Sequence, residues 1–224
     1  MDPKAAGLRS EILKELKPGQ KILAVSKLQP IEKIKELHAE GQIDFGENYM
    51  QEALEKIETL KDLNLKWHLI GPLQKNKVKF LKTNFAYVHS VDSIELAELI
   101  SKKAVEINHK QKIFLQINIS GEQTKSGFDE NAFVKNWDMV KALPGLEIVG
   151  LMTMPPLENE PEKNRNYFKK LTALGKSLNL HEFSMGTSHD YSVALEEGAT
   201  WIRLGTVLFG QRNNLEMKPR GQNE

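Results

Sequence analysis

The feature that most constrains this chain is an alternation, in which short apolar runs of β type give way repeatedly to longer stretches with helical spacing. The β-type runs are KILAVS (21–26), IDFG (43–46), WHLIG (67–71), AYVHSV (86–91), KIFLQIN (112–118), EIVGLM (147–152), HEFSM (181–185) and TWIRLG (200–205), eight in all. Between them, sets such as Ile31, Ile34, Leu37 and His38, or Ile94, Leu96, Ala97, Leu99 and Ile100, recur at the spacing of one helix face. A helix between successive strands carries the chain back to start the next strand in the same direction, so the strands are expected to be parallel. Eight such units close most economically into a single (β/α)8 barrel of TIM type, an α/β fold, with a doubly wound open sheet as the competing arrangement.

Pro30, Asn131 and Asp190 stand where helices are expected to begin. An extra N-terminal helix is expected at about 8–16, with Leu8, Ile12, Leu13 and Leu16 on one side, inside a helical extension of about 1–18. The segment from about 211, QRNNLEMKPRGQNE, is polar and expected to fray. No linker or break in composition interrupts the pattern, so 1–224 is expected to be one domain.

Lys+Arg total 31 against 30 for Asp+Glu, a net charge of +1, so no long-range field draws the chain to nucleic acid or to an anionic membrane. Any anion must be held locally. The absence of cysteine removes disulfides, thiol nucleophiles and cysteine-ligated metals, and the histidines show no paired metal-ligand spacing, so no metal is expected. No apolar stretch approaches the roughly 20 residues of a membrane span, and the charged N-terminus has no signal-peptide core, which gives a cytoplasmic expectation. The basic segment QKNKVKFLK (74–82) has helical spacing and is expected to be a solvated face.

In a parallel barrel the reactive groups come from the carboxyl ends of the strands, because the strand middles are filled with packed side chains. Lys27 closes the first run, where apolar neighbours desolvate an ammonium and favour the neutral amine that attacks an aldehyde. A lysine at some strand end is also unsurprising by chance among this many basic residues, and Lys125, in the more polar loop after the fifth run, is a rival. The segments SMGTSHD (184–190) and RLGTVLFG (203–210) offer backbone amides and hydroxyls after the seventh and eighth strands, where barrels often hold phosphate. Ordinary glycine turns would look the same. Arg203 lies inside an apolar run and needs a partner, either a carboxylate such as Glu47 or an acceptor on a ligand. Met152, Met154 and Met185 fall near strand ends and are candidates for a pocket lining, while Trp67, Trp137 and Trp201 are expected to pack.

Several segments in order, AVSK (24–27), FGENYMQE (45–52), WHLIGPLQKNKVK (67–79), INISGEQTKSGF (117–128), GLMTM (150–154), SMGTSHDY (184–191) and RLGTVLFG (203–210), resemble the pyridoxal phosphate homeostasis proteins. That family binds pyridoxal 5'-phosphate (PLP) on a barrel similar to the alanine racemase barrel domain. The resemblance implies that Lys27 forms the internal aldimine, a Schiff base, and that Ser188 with Gly205 and Thr206 cradles the phosphate. It also implies that Arg203 faces the pyridine nitrogen and that Asn48 lies near the ring. Two positions depart from the family pattern: Thr187 stands where SMGMS has methionine, and Leu28 where a threonine usually follows the lysine.

The function implied is homeostasis of the vitamer, held reversibly without catalysis, with PLP enzymes in their apo form as candidate recipients and a monomer expected in preference to a dimer. The alternative is a PLP-dependent amino-acid racemase or lyase with Lys27 as base and Ser90 or Tyr191 as its counterpart. A barrel enzyme for a phosphosugar is the third candidate.

Overall fold

The structure, a computed structural model, describes residues 3–122, 125–156 and 160–210. Eight parallel strands, β1 (Lys21–Val25), β2 (Asp44–Glu47), β3 (Lys66–Leu69), β4 (Tyr87–Val91), β5 (Gln111–Gln116), β6 (Leu146–Met152), β7 (Glu182–Thr187) and β8 (Trp201–Leu204), form a closed barrel in sequence order. Closure comes from β8 pairing with β1, in the register Lys21↔Trp201 to Ala24↔Leu204. The fold is therefore the (β/α)8 barrel and not the open sheet. The strand ends stray from the apolar runs by a residue or two.

The helices are α1 (Pro3–Glu15), α2 (Ile31–Ala39), α3 (Met50–Thr59), α4 (Ile94–Glu106), α5 (Glu130–Lys141), α6 (Arg165–Ser177), α7 (Tyr191–Glu196) and α8 (Thr206–Phe209). Pro30 and Asp190 precede α2 and α7 as expected. The cap of α5 is Asp129, whose carboxylate accepts from Ala132 N at 2.9 Å, and Asn131 falls inside the first turn instead. Between β3 and β4 the chain forms a short 3-10 helix, Lys75–Phe80, in place of an α-helix. Val78 within it and Leu81 just after it are buried, three apart as in the repeat of a 3-10 turn, while Lys75 and Lys79 face solvent.

The N-terminal helix is present, but its expected apolar stripe is only partly used. Ile12 is buried, whereas Leu8 and Leu13 are 37% and 42% exposed. The inward face carries Arg9, whose guanidinium donates to Gln42 Oε1 and to Glu40 O. Gln42 in turn donates to Ile22 O and Asp44 O, so α1 is tied to the loop that joins α2 to β2. The polar tail from 211 lies outside the described residues. Among the described residues no helix is long and apolar enough to cross a membrane.

The side chains alternate across each strand, which creates two cores. One fills the space between sheet and helices, with Ile34, Leu37, Phe45, Leu69, Phe168 and Ile202. The other fills the barrel itself, with Leu23, Phe114, Met152 and Trp201, backed by Ile70, Tyr87 and Val149. At the amino-terminal foot Lys21 Nζ lies 4.5 Å over the Trp201 ring, and Trp201 Nε1 donates to Glu182 at 2.6 Å. The opposite end is open.

Candidate functional site

At the carboxyl ends of the strands the barrel opens into a cavity of about 480 Å³. Lys27, Asn48, Ser188, Arg203, Gly205 and Thr206, all singled out from the sequence, lie on its wall. Strand alternation separates the two neighbours at the end of β2, since Asn48 reaches the cavity while Glu47 turns outward toward α3.

Lys27 sits in a turn that is gripped on both sides. Before it, Ser26 N donates to Gly46 O, and Ser26 O accepts from Lys56 Nζ at 2.7 Å. After it, Leu28 adopts a left-handed backbone (φ 59°) and its amide donates to Glu52 Oε1 at 2.6 Å. Lys56 also reaches Glu52 and the fully buried Glu47, to which the Ser26 hydroxyl donates. Burial pushes the Glu47 carboxyl up, and the Lys56 ammonium and the hydrogen bonds from Lys56 and Ser26 pull it back. Leu28, the departure beside the lysine, is an exposed side chain at this turn.

The β7–α7 and β8–α8 loops meet at Ser188, whose hydroxyl accepts from Gly205 N at 3.1 Å. The first amides of α8 point ahead of its hydrogen-bond ladder, which begins with Leu208 N and Phe209 N on Gly205 O. The loop before Ser188 is fixed by Asp190, which accepts from Thr187 N and Thr187 Oγ1 and from Asn164 Nδ2. Thr187 thus has a partner that a methionine would not supply. Gly186 is required here: its φ is +86°, and a Cβ would stand 2.5 Å from that of Ala194.

Arg203 is buried, and Glu47, the carboxylate considered as its partner, is engaged elsewhere. Its Nη1 donates to Ser184 Oγ at 2.8 Å and its Nη2 to Thr153 O at 2.9 Å, with Met154 Sδ also in reach. Burial lowers its pKa to about 10, opposed by Asp190, so the guanidinium stays charged at neutral pH. Asp92 and His189 add titratable groups to the wall, and burial pushes the Asp92 carboxyl up.

Other sequence candidates fall elsewhere. Lys125 is off the cavity wall, although its neighbour Ser126 is on it. Ser90 is buried and donates to Gly71 O, and Tyr191 is likewise away from the wall. Met152 and Met154 line the cavity, whereas Met185 packs in the outer core. What the sequence did not yield is the meeting of His68 and His89, whose Nδ1 and Nε2 lie 2.9 Å apart inside the barrel. The only available signal was that both fall in inward register on adjacent strands. Among the described residues no group of three or more His, Asp or Glu side chains is placed to hold a metal.

The wall thus offers an amine, a donor-only guanidinium, and a corner of amides and hydroxyls that suits an anion. Residues 9–213 match the family model described as the alanine racemase N-terminal domain. A pyridoxal phosphate homeostasis protein of Aquifex aeolicus is 44% identical over 198 residues, covering 86% of this chain and 87% of that one. The protein of the same description from Synechocystis is 40% identical over 210 residues, covering 91% of this chain and 96% of its own length. Among solved structures, PipY of Synechococcus elongatus with PLP bound superposes with a TM-score of 0.86 at 36% identity, over 92% of this chain and all of that one. An alanine racemase of Clostridium difficile shares the fold at 19% identity, with a TM-score of 0.78 over 95% of this chain and 58% of the racemase.

Proposed function

The chain belongs to the pyridoxal phosphate homeostasis protein family, and from that membership we propose that it holds PLP reversibly on Lys27 and limits its free aldehyde, without substantial catalysis of its own. The observation that carries this reading is the donor set gathered on one cavity wall: the Lys27 amine, the Ser188, Gly205 and Thr206 corner, and the buried Arg203. The relatives of the same description and the PLP-bound PipY support it.

The residues fit that group. Asn48 Oδ1, on the wall, is buried without a hydrogen-bond partner among the described residues and suits a donor on a bound ligand. When bound, PLP supplies an aldehyde that condenses with an amine, forming a carbon–nitrogen double bond and releasing water, and that can be released by the reverse reaction. Lys27 Nζ is the amine, presented by a turn that Lys56 and Glu52 fix at both ends. Ser188 Oγ, oriented by Gly205 N, and the leading amides of α8 would hold the phosphate. Arg203 would donate to the pyridine nitrogen and keep it an acceptor, because a guanidinium does not give up its proton. A ring left unprotonated is a weak electron sink, so reactions that store a carbanion's electrons in the ring are poorly supported. On this reading the carrier works in the cytoplasm, as a monomer in preference to a dimer, with PLP enzymes in their apo form as candidate recipients.

Borohydride reduction of protein incubated with PLP, followed by intact mass and peptide mapping, tests the cofactor and the residue together. One adduct on the Lys27 peptide is expected, with none on the Lys27→Ala variant. An adduct confined to another lysine, or none, would overturn the assignment.

A further inference from the structure

Among the described residues, the hydrogen-bond acceptors of the buried Arg203 cation, Ser184 Oγ, Thr153 O and Met154 Sδ, carry no charge. Its nearest acceptor opens onto a line of polar groups. Ser184 Oγ lies 2.8 Å from His89 Nδ1, His89 Nε2 lies 2.9 Å from His68 Nδ1, and His68 Nε2 lies 3.0 Å from Asp44 Oδ1. The line runs from the cavity wall through the barrel to the foot of β2, where the Asp44 side chain is 14% exposed. His68 and His89 are fully buried. Tyr87 stacks on His68 at 4.7 Å, Trp201 lies 4.9 Å from it, and Phe114 stacks on His89 at 4.3 Å. In such dry surroundings both imidazoles are held neutral: burial lowers both, Asp44 opposes the effect at His68 while the Lys21 and Lys66 charges add to it, and the neighbouring His68 and Arg203 add to it at His89.

Neutral rings between these two ends leave a single arrangement of protons. The Asp44 carboxylate can only accept, so His68 carries its proton on Nε2 and leaves Nδ1 bare. His68 Nδ1 then accepts from His89 Nε2, and His89 Nδ1 accepts from the Ser184 hydroxyl. Ser184 Oγ is left with a lone pair for Arg203, which can only donate. The reverse order would set a bare His68 nitrogen against a carboxylate oxygen, or else would need a charged ring in the barrel core.

We propose that Asp44, His68, His89 and Ser184 are positioning residues for Arg203, forming a one-way hydrogen-bond line that brings a countercharge from the foot of the barrel and fixes the guanidinium toward the cavity. The line polarises as a unit: each group donates toward Asp44, and the negative end of the Ser184 hydroxyl faces Arg203. Its effect on a ligand rests on the reading that Arg203 meets a pyridine nitrogen. An anchored guanidinium keeps that nitrogen in a short hydrogen bond, and one cut from its line lets the bond loosen while its charge still keeps the nitrogen unprotonated.

The proton order is tested on the protein without PLP, by long-range nitrogen–proton correlation spectra of its ¹⁵N-labelled histidines at neutral pH. His68 and His89 are expected as neutral Nε2–H tautomers, and a proton on Nδ1 of either ring, or averaging between tautomers, would overturn the line. The positioning role is tested with PLP labelled with ¹⁵N in its ring. In the wild type the ring nitrogen should resonate at the position of a hydrogen-bonded, unprotonated pyridine, and in Asp44→Asn and Ser184→Ala it should shift toward the position of a free pyridine. Ser101→Ala, which removes a buried hydroxyl that accepts from Gly145 N at 3.0 Å, serves as the control and should show no shift. Should Asp44→Asn not fold, Ser184→Ala and the tautomer spectra still decide. Bound PLP with an unshifted nitrogen in Ser184→Ala overturns the positioning role. Failure of the wild type to bind PLP at all instead overturns the functional reading, and leaves the proton order to be judged on the unliganded spectra.

Discussion

At the level of single residues, Lys56 does more for the site than its place on a polar helix suggests. Its ammonium holds Ser26 O, Glu47 and Glu52, and so ties the Lys27 turn to α3. Lys56→Met leaves the Glu47 carboxylate buried beside one hydroxyl, and removing one partner of such a pair costs about 3–5 kcal/mol. The deficit against wild type should shrink as pH falls. Burial already raises the Glu47 pKa, and losing Lys56 raises it further, so protonation at lower pH removes the uncompensated charge. Urea midpoints of the two proteins at pH 7.5 and 5.5 measure this, and an equal deficit at both pH values would contradict it. Lys27 and Arg203 were legible in the sequence because each is polar at the end of, or inside, an apolar run. Lys56 was not legible, since a lysine on a helix as polar as α3 looks solvated and only the fold shows it buried on one face with Met50 and Ala53. The His68–His89 contact was hidden because it depends on strand register, which no local pattern specifies.

At the level of elements, the strands announced themselves because a parallel strand buried on both faces is apolar along most of its length. The helix starts were less legible. Asp129 and Asn131 are both cap residues by type, and only the bond from Ala132 N to the Asp129 carboxylate separates them. The spacing of 74–82 left open whether the turns would be α or 3-10, since apolar residues three apart fit either. In α1, apolar content overstated the buried face, because Arg9 with its bonds to Gln42 and Glu40 takes a place that Leu8 or Leu13 was expected to hold. Ile12 is the buried apolar anchor of that helix, at 1% exposure. Ile12→Ala should therefore cost about 2–4 kcal/mol in denaturant unfolding, while Leu13→Ala should stay within about 0.5 kcal/mol of wild type. Equal losses would mean that α1 docks in another orientation.

At the level of the whole molecule, the two interior histidines couple stability to acidity. Both have folded-state pKa values below the ordinary 6.5, so the unfolded chain binds their protons first as pH falls. The stability that depends on their neutral forms is fully present above pH 6.5 and is lost as pH drops toward the lowered folded values. Each ring contributes up to about 1.4 kcal/mol per pH unit in that window. Urea unfolding between pH 7.5 and 5.5 should show a falling midpoint, and a variant with His68→Gln and His89→Gln should show a shallower slope. A wild-type midpoint that holds level across the window would place these rings outside the dry core. The barrel wall is also uneven around its circumference. The staves β3 and β4 join through two residue pairs, His68↔Tyr87 and Leu69↔Val88, behind a six-residue 3-10 turn, whereas β5 and β6 are matched along the whole of β5. At that seam deuterium from heavy water should penetrate earlier than between β5 and β6, marking the amides of β3 and β4 first of the four and reaching the imidazole pair from its own side.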